Sequence, residues 1–164
     1  MSRLRVIAAA AAIGLGLGGC GIGNADVAAK VDGRVITEDA ARTAAEQINQ
    51  AFTPDQPLTM ANAIDLLISS GSVLEVAEAK GQTVTVDAAL AALAGKVENP
   101  TPETIDLLRA NAAWNMIGQD PQAPQALAAA LDKKRISVNP RFGTYDKEQL
   151  TLAPAAPNWI ADTT

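Results

Sequence analysis

The sequence predicts a mostly α-helical domain that carries a small three-strand β-sheet. Three observations predict this fold class. An Asp32-Gly33 pair separates two short β-prone runs, which is typical of a tight hairpin turn because both residues tolerate a positive φ. Several threonines precede apolar stretches with helical spacing, where they are suited to cap helices. Near the C-terminal end, Ile136–Val138 alternates apolar and polar side chains, as a third strand does.

The length of the chain suits a single domain. It has 164 residues, enough to bury a hydrophobic core after a short leader is set aside. The predicted parts are a lipoprotein signal peptide at 1–19, a short tether at 20–26, the folded domain at 27–149 and a C-terminal tail at 150–164.

Residues 1–19 have the layout of a bacterial export signal. Arg3 and Arg5 precede an apolar run at 6–17 that is too short for a stable membrane span. The run ends in a segment that resembles the lipobox of bacterial lipoproteins, formed by Leu17, Gly18, Gly19 and Cys20. The resemblance implies that Cys20 is the lipidated N-terminus. A cleaved secretory signal followed by an incidental cysteine is the alternative, and it is disfavoured because the one cysteine of the sequence lies at the required place.

A lipid on Cys20 would hold the domain near a membrane. Acyl chains bury in lipid at about 0.8 kcal/mol per CH2, so more than one chain makes a durable anchor. Residues 21–26 reach about 20 Å when fully extended. The predicted location is therefore the outer, extracytoplasmic face of the cell membrane, with the domain close to the lipid surface.

The domain is predicted to begin with a β-hairpin at 27–36 and to continue with helices. Thr37, Thr59, Thr85 and Thr101 stand at cap positions. The predicted helices lie at 38–51, 60–80, 86–94, 102–118 and 125–134. We expect the longest to be the central core helix, interrupted around Gly71. For the fourth helix we expect a buried face of Ile105, Leu108, Ala112 and Met116.

The end of the domain returns to the sheet. Ile136–Val138 is predicted to pair with the hairpin, because two strands alone are marginally stable. The tail at 150–164 is predicted to be partly ordered by Leu150, Leu152 and Trp159.

The order of these elements resembles the N-terminal domain of SurA-type and PrsA-type extracytoplasmic foldases. The segments that carry the resemblance are residues 27–37, 63–68, 74–81 and 84–87. Residues 138–143 resemble, less closely, the closing strand and turn of small actinobacterial lipoproteins that contain this domain. The resemblance implies a helical cradle that holds unfolded exported chains. Foldases of this kind usually carry a parvulin prolyl-isomerase domain of about a hundred residues whose site normally includes histidine. This chain lacks both that length and any histidine, so isomerase activity is not implied.

Composition disfavours several classes of function. There is no histidine and only one cysteine, so histidine-based acid–base catalysis, the usual catalytic triads and a multi-thiolate metal site have no ligands or bases. The formal net charge of −5 makes nucleic acid a poor electrostatic partner. We therefore expect no enzyme activity, catalytic residue, cofactor, metal or nucleic-acid partner.

Four large side chains are candidates for a client-binding surface: Phe52, Met60, Trp114 and Met116. Methionine is adaptable and aromatic rings supply contact area at low entropic cost. The alternative, which we favour from sequence, is that they belong to the core, because amphipathic stripes normally face inward. The carboxylates of Asp65, Glu75 and Glu78 are expected on a solvated face, and Asp106 with Arg109 is expected to form a surface pair.

The function predicted from these features is that of a lipid-anchored, non-catalytic chaperone or holdase. Its partners would be unfolded or partly folded secreted proteins, and its contact with the membrane would be the lipid anchor. The alternative is an envelope lipoprotein that docks one specific folded partner and has no general chaperone activity.

Overall fold

A computed structural model of the protein describes residues 26–155. The predicted signal peptide, Cys20 and Trp159 lie outside these residues. In chain order the elements are β1 (Val27–Val31), β2 (Arg34–Thr37), α1 (Glu38–Phe52), α2 (Met60–Ala79), α3 (Val86–Leu93), α4 (Pro102–Ile117), α5 (Ala123–Asp132), β3 (Ile136–Val138), β4 (Thr144–Asp146) and β5 (Thr151–Ala153). The predicted fold class, mostly α with a small three-strand sheet, is confirmed at this level.

The three-strand sheet has the order β2-β1-β3 and is antiparallel throughout. Asp32 and Gly33 join β1 to β2 with φ values of 50° and 91°, as the hairpin turn requires. In β1, Lys30 lies opposite Val35 on one side and Ser137 on the other. The predicted pairing of β3 with the hairpin is therefore confirmed, and β1 is the central strand.

Side-chain caps begin four of the helices as predicted. In each case the threonine hydroxyl accepts a hydrogen bond from the backbone N–H three residues later, which satisfies a donor that the helix itself leaves unpaired. The pairs are Thr37 with Ala40, Thr59 with Asn62, Thr85 with Ala88 and Thr101 with Thr104.

Helix α2 is the core of the molecule, as expected. It contacts α1, α4, α5, β1 and β2, and about half of it is buried. By length and hydropathy it would also suit a membrane span, but its burial against these neighbours is that of a core helix.

The expected interruption near Gly71 does not occur, since the helix is continuous. The hydroxyl of buried Ser70 donates to the carbonyl of Leu67 at 2.9 Å, so this polar residue is satisfied within the helix.

The predicted face of α4 is wrong. The side chains that α4 buries are Thr104, Leu107, Ala110, Ala113 and Ile117, whereas Met116 from the predicted face is 54% exposed. Apolar residues surround most of α4, so their spacing does not single out one face. The small side chains of Ala110 and Ala113 allow close approach of helices, and α2 and α4 form the most extensive contact between elements.

Helix α5 begins at Ala123, before the predicted start at 125. Pro124 lies in its first turn, where a missing backbone N–H has no helical acceptor in any case. The helix ends at Asp132, two residues before the predicted end at 134, and three cations, Lys133, Lys134 and Arg135, follow it. One of them, Lys134, places its ammonium 2.6 Å from the carboxylate of Glu75 and thereby ties the end of α5 to α2.

A second hairpin, β4–β5, was not predicted. It pairs Tyr145 with Leu152, so β5 lies inside the segment predicted as tail. Leu150 and Leu152 pack against the core, which confirms the expected ordering by these two residues.

The expectation that Asp65 is solvated is wrong. Its carboxylate accepts from the backbone N–H of Leu152 at 2.9 Å and from the hydroxyl of Thr151 at 3.4 Å.

Candidate functional site

An open apolar groove runs between α2 and α4. It consists of two adjoining cavities of about 430 Å³ and 280 Å³. Both are lined by Leu66, Leu107 and Asn111, so the two cavities are continuous. Leu107 is buried whereas Leu66 is 47% exposed, so a large leucine side chain faces the opening. We call this feature the α2/α4 groove.

The two ends of the groove have similar chemistry. At the first end lie the ring of Phe52 and the prolines of the loop between α1 and α2. At the second end lie the indole of Trp114, the side chain of Leu127 from α5 and Leu150 from the β4–β5 hairpin. Each end therefore offers an aromatic ring with aliphatic neighbours, the surface that apolar side chains of a ligand contact favourably.

The lining of the groove is neutral. Its polar side chains are Gln56, Asn62, Ser69 and Asn111, and no Asp, Glu, Lys or Arg lines either cavity. Two other cavities in the described part of the chain are larger, about 560 Å³ and 510 Å³, but they include Lys96 with Glu98 and Lys147 respectively. Unlike these two cavities, the α2/α4 groove has no charged residue in its lining, and its two parts form one continuous apolar surface.

Hydrogen bonds from α1 fix the start of α4 and so position one wall of the groove. The side-chain oxygen of Gln47 accepts from the backbone N–H of Thr101 at 3.0 Å and from the hydroxyl of Thr104 at 2.6 Å. Its side-chain nitrogen donates to the carbonyl of Asn99 at 3.0 Å. Thr104 is fully buried, and its hydroxyl also lies 2.9 Å from the hydroxyl of Thr101, so Gln47 and Thr101 together satisfy this polar group inside the protein.

Charged side chains hold α4 beside α2 and the sheet from outside the groove. The guanidinium of Arg34 lies 3.1 Å from the carboxylate of Asp106 and donates to the hydroxyl of Ser70 at 3.3 Å. The predicted pair of Asp106 and Arg109 is confirmed at 3.6 Å. Arg109 also donates to the carbonyl of Val84 at 2.9 Å. Because Asp106 also pairs with Arg34 of β2, it links α4 to the sheet, whereas the predicted pair with Arg109 joins two residues of α4 alone.

Asp65 positions the hairpin that closes the second end of the groove. The hydrogen bonds from Thr151 and Leu152 fasten β5 to α2. Leu150, just before β5, has a φ of 56° and lines the second cavity of the groove. Burial raises the pKa of the Asp65 carboxyl, although the hydrogen bonds to β5 oppose the rise. Burial, with a smaller contribution from the charge of Asp65, raises the pKa of Tyr145 to about 12.

The four candidate client-binding residues do not form one surface. Phe52, 41% exposed, and the partly buried Trp114 lie at opposite ends of the groove. Met60 is partly buried against the core. Met116 is exposed and lines neither cavity of the groove. The expectation that all four belong to the core is therefore wrong for Phe52 and Met116.

Sequence reasoning missed the residues at the centre of the groove. Leu66 falls in the apolar stripe of α2, and nothing in the helical spacing separates it from its buried neighbours. Asn111 falls on α4, whose buried face was assigned wrongly. Their shared position depends on how α2 crosses α4, which the periodicity of one helix cannot define.

The other acidic side chains make ordinary structural contacts. Glu75 pairs with Lys134, as described above, and Glu38 pairs with Arg141 at 2.8 Å. Among residues 26–155, no group of three or more Cys, Asp or Glu side chains is gathered as ligands for a metal ion. The predicted lipobox, Leu17, Gly18 and Gly19 before Cys20, lies outside the described residues.

Comparison with known proteins finds no protein-family model, no curated protein and no solved structure that matches this chain. The SurA-type resemblance therefore stays a prediction.

Proposed function

We propose that this chain is a lipoprotein, anchored through Cys20 on the outer face of the cell membrane, whose domain holds unfolded exported polypeptides without catalysing a reaction on them. The observation that carries the proposal is the open, uncharged and apolar α2/α4 groove. Stretches of apolar residues that a folded protein would bury are exposed in an unfolded chain. Such stretches and the groove both lose contact with water when they associate.

The expected binding is weak. Fully burying a Leu or Phe side chain yields about 1.5–3 kcal/mol, and Leu66 and Phe52 are already about half covered. Association also costs several kcal/mol in lost freedom of motion. A single client segment is therefore expected to bind with a dissociation constant on the order of micromolar or weaker. Rapid release suits a holdase, because the client must leave in order to fold.

The resemblance to SurA-type N-terminal domains supports the same function. This support is an analogy of element order, and a fold by itself does not establish a function. The groove supplies the independent argument, since it is derived from the packing of α2 and α4.

Suppression of aggregation tests the holdase function. A chemically unfolded reporter enzyme, such as carbonic anhydrase, is diluted into buffer with the chain lacking residues 1–20, which retains every described residue. Light scattering is expected to fall as the chain is added, and Leu66→Gln is expected to weaken the suppression several-fold. The matched control is Leu90→Gln, since Leu90 is a helical leucine of similar exposure, 39%, which lies outside the groove.

Two results would contradict this function. One is unchanged scattering at a molar excess of the chain. The other is an equal effect of Leu66→Gln and Leu90→Gln, which would show that the suppression of aggregation does not depend on the groove. Stoichiometric capture of one folded protein, with no effect on unfolded reporters, would instead support the docking lipoprotein named above as the alternative.

The anchor is tested separately by mass spectrometry of the protein from membranes of the producing cell. We expect a mature N-terminus at Cys20 that carries acyl chains, and Cys20→Ser is expected to abolish both cleavage and acylation. An unacylated protein that retains residues 1–19 would rule out the proposed anchor without bearing on the groove.

A further inference from the structure

We infer that the α2/α4 groove binds an uncharged polypeptide segment of about five residues in an extended conformation, and that side-chain amides of the groove bind the main chain of this segment. The inference rests on the proposed holdase function and specifies the client that the same site takes. Its support comes from the charge, the hydrogen-bonding groups and the length of the groove.

The charge of the groove selects against charged segments. The chain contains 18 acidic and 13 basic residues, yet none of the residues that line the two cavities is charged. A Lys or Glu side chain at the centre of a client segment would lose water there, and no residue that lines the two cavities would form an ion pair with it, which is costly in free energy. An apolar, uncharged segment meets no such cost.

The amides of the groove suit the backbone of an unfolded client. Asn62 and Gln56 line the first cavity, and their side-chain amides make no hydrogen bond to another residue within the described part of the chain. At the junction of the cavities, the oxygen of Asn111 accepts from Asn115 at 3.3 Å. Its NH2 group makes no hydrogen bond within residues 26–155.

An amide both donates and accepts hydrogen bonds, so it can pair with either backbone group of a client without requiring a particular side chain. A helical client has already paired its backbone groups internally. The three amides therefore favour an extended segment over a helix.

The length of the groove sets the size of the segment. Along α2 the lining extends from Asn62 to Val73, which spans roughly 16 Å at the rise of an α-helix. An extended chain advances about 3.3 Å per residue. The groove therefore covers about five residues of an extended client, and its two cavities accept two separate groups of apolar side chains.

Synthetic peptides test the charge selection. Five residues drawn from Leu, Val and Ala are flanked by Ser and Gly, and a fluorescent label reports binding to the chain lacking residues 1–20 through anisotropy. A central Lys or Glu is expected to weaken binding at least tenfold. Asn111→Asp is expected to weaken binding of the neutral peptide several-fold and to improve binding of the Lys peptide.

The control variant is Gln119→Glu, which adds the same charge on an exposed turn outside both cavities and is expected to change neither affinity. Circular dichroism checks that each variant is folded. Equal affinity for neutral and charged peptides, or no response to Asn111→Asp in a folded variant, would overturn the charge selection.

A second pair of peptides tests the extended conformation. Methylation of alternate main-chain nitrogens removes backbone donors and is expected to weaken binding several-fold. A stapled helix of the same composition is expected to bind more weakly than the linear peptide. Tighter binding of the helix, or full tolerance of methylation, would overturn the inference that the groove binds an extended main chain.

The failure of this inference can be distinguished from the failure of the holdase function. If aggregation suppression is sensitive to Leu66→Gln while neutral and charged peptides bind alike, the holdase function stands and the segment is wrongly specified. If sedimentation shows a dimer that Leu66→Gln dissociates, the occupant is a second copy of the chain, and the peptide inference is wrong. If the chain does not suppress aggregation at all, the proposed holdase function is wrong, and the inference that rests on it is wrong with it.

Discussion

Asp65 shows how a single half-buried carboxylate positions a hairpin. Its oxygens accept hydrogen bonds from Leu152 and Thr151, and the same burial that makes these bonds useful raises the pKa of its carboxyl. The side chain therefore contributes as an acceptor, while its negative charge is a disadvantage in this environment. Substitutions that separate these two properties are informative.

We predict that Asp65→Ala lowers the free energy of unfolding by about 1–3 kcal/mol, because the N–H of Leu152 loses its acceptor. Asp65→Asn retains an oxygen acceptor and removes the charge, so we expect it to be at least as stable as the parent near neutral pH. Urea denaturation measures both. An Asn variant as unstable as the Ala variant would show that the charge itself is needed.

The stabilities of the parent and of Asp65→Asn are also expected to differ in their pH dependence. A raised pKa means that the folded state binds the proton more tightly than the unfolded state, so the contribution of Asp65 to stability increases as the pH falls from above the raised pKa to below 3.8. The advantage of Asp65→Asn over the parent is therefore expected to shrink toward acid. Denaturation curves across this range measure it, and an advantage that grows toward acid would contradict the assignment.

Gly143 is required by the backbone of the second hairpin. Its φ of 113° disfavours any other residue, and a Cβ there would overlap the carbonyl oxygen of Ala153. We predict that Gly143→Ala lowers the free energy of unfolding by about 1–3 kcal/mol. The control is Gly71→Ala, in the interior of α2 with open space at the Cβ, which is expected to raise stability by up to about 1 kcal/mol. Thermal denaturation that orders the two variants the other way would contradict this account.

At the scale of elements, side-chain hydrogen bonds between helices determine how α4 is placed. Gln47 spans from α1 to the start of α4 with three hydrogen bonds, whereas Gln50 on the same helix makes one, to the carbonyl of Lys96. Thr104 is buried, so its hydroxyl cannot turn to bulk water if the side chain of Gln47 is removed, and it keeps the hydroxyl of Thr101 as its remaining partner.

We predict that Gln47→Ala lowers the free energy of unfolding by about 2–3 kcal/mol, while Gln50→Ala lowers it by less than about 1 kcal/mol. The two substitutions remove the same side chain from one helix, so helix propensity cancels in the comparison. Chemical denaturation measures both values. Equal losses would show that the bonds to Thr101 and Thr104 do not position α4.

Local signals in the sequence are sufficient to predict most elements. The Asp32-Gly33 turn and the threonine caps depend on residues close together in the chain, and both are confirmed. The β4–β5 hairpin was missed because its strands have three residues each and its geometry depends on Asp65, far away in sequence. The buried face of α4 was wrong because most of its sides are apolar, so tertiary packing decides which one is buried.

At the scale of the whole molecule, the groove follows from the way α2 and α4 lie side by side, since residues of both helices line its two cavities. Ala110 and Ala113 are buried, and Leu66 stays exposed at the opening. None of these residues identifies the groove by itself, which explains why the sequence predicted Phe52 and Trp114 as candidates but not Leu66 or Asn111. The central claim is that this opening holds segments of foreign polypeptide.

The most direct measurement is an NMR titration of the isotopically labelled chain lacking residues 1–20 with an unfolded, soluble reporter polypeptide. We predict that the chemical-shift changes centre on Leu66, Leu107, Asn111 and the indole of Trp114, and that the exposed side chains Val86 and Leu90 on α3 remain unaffected. Shift changes centred on α3 or on the sheet, or no changes at saturating reporter, would contradict the claim that the α2/α4 groove is the binding site.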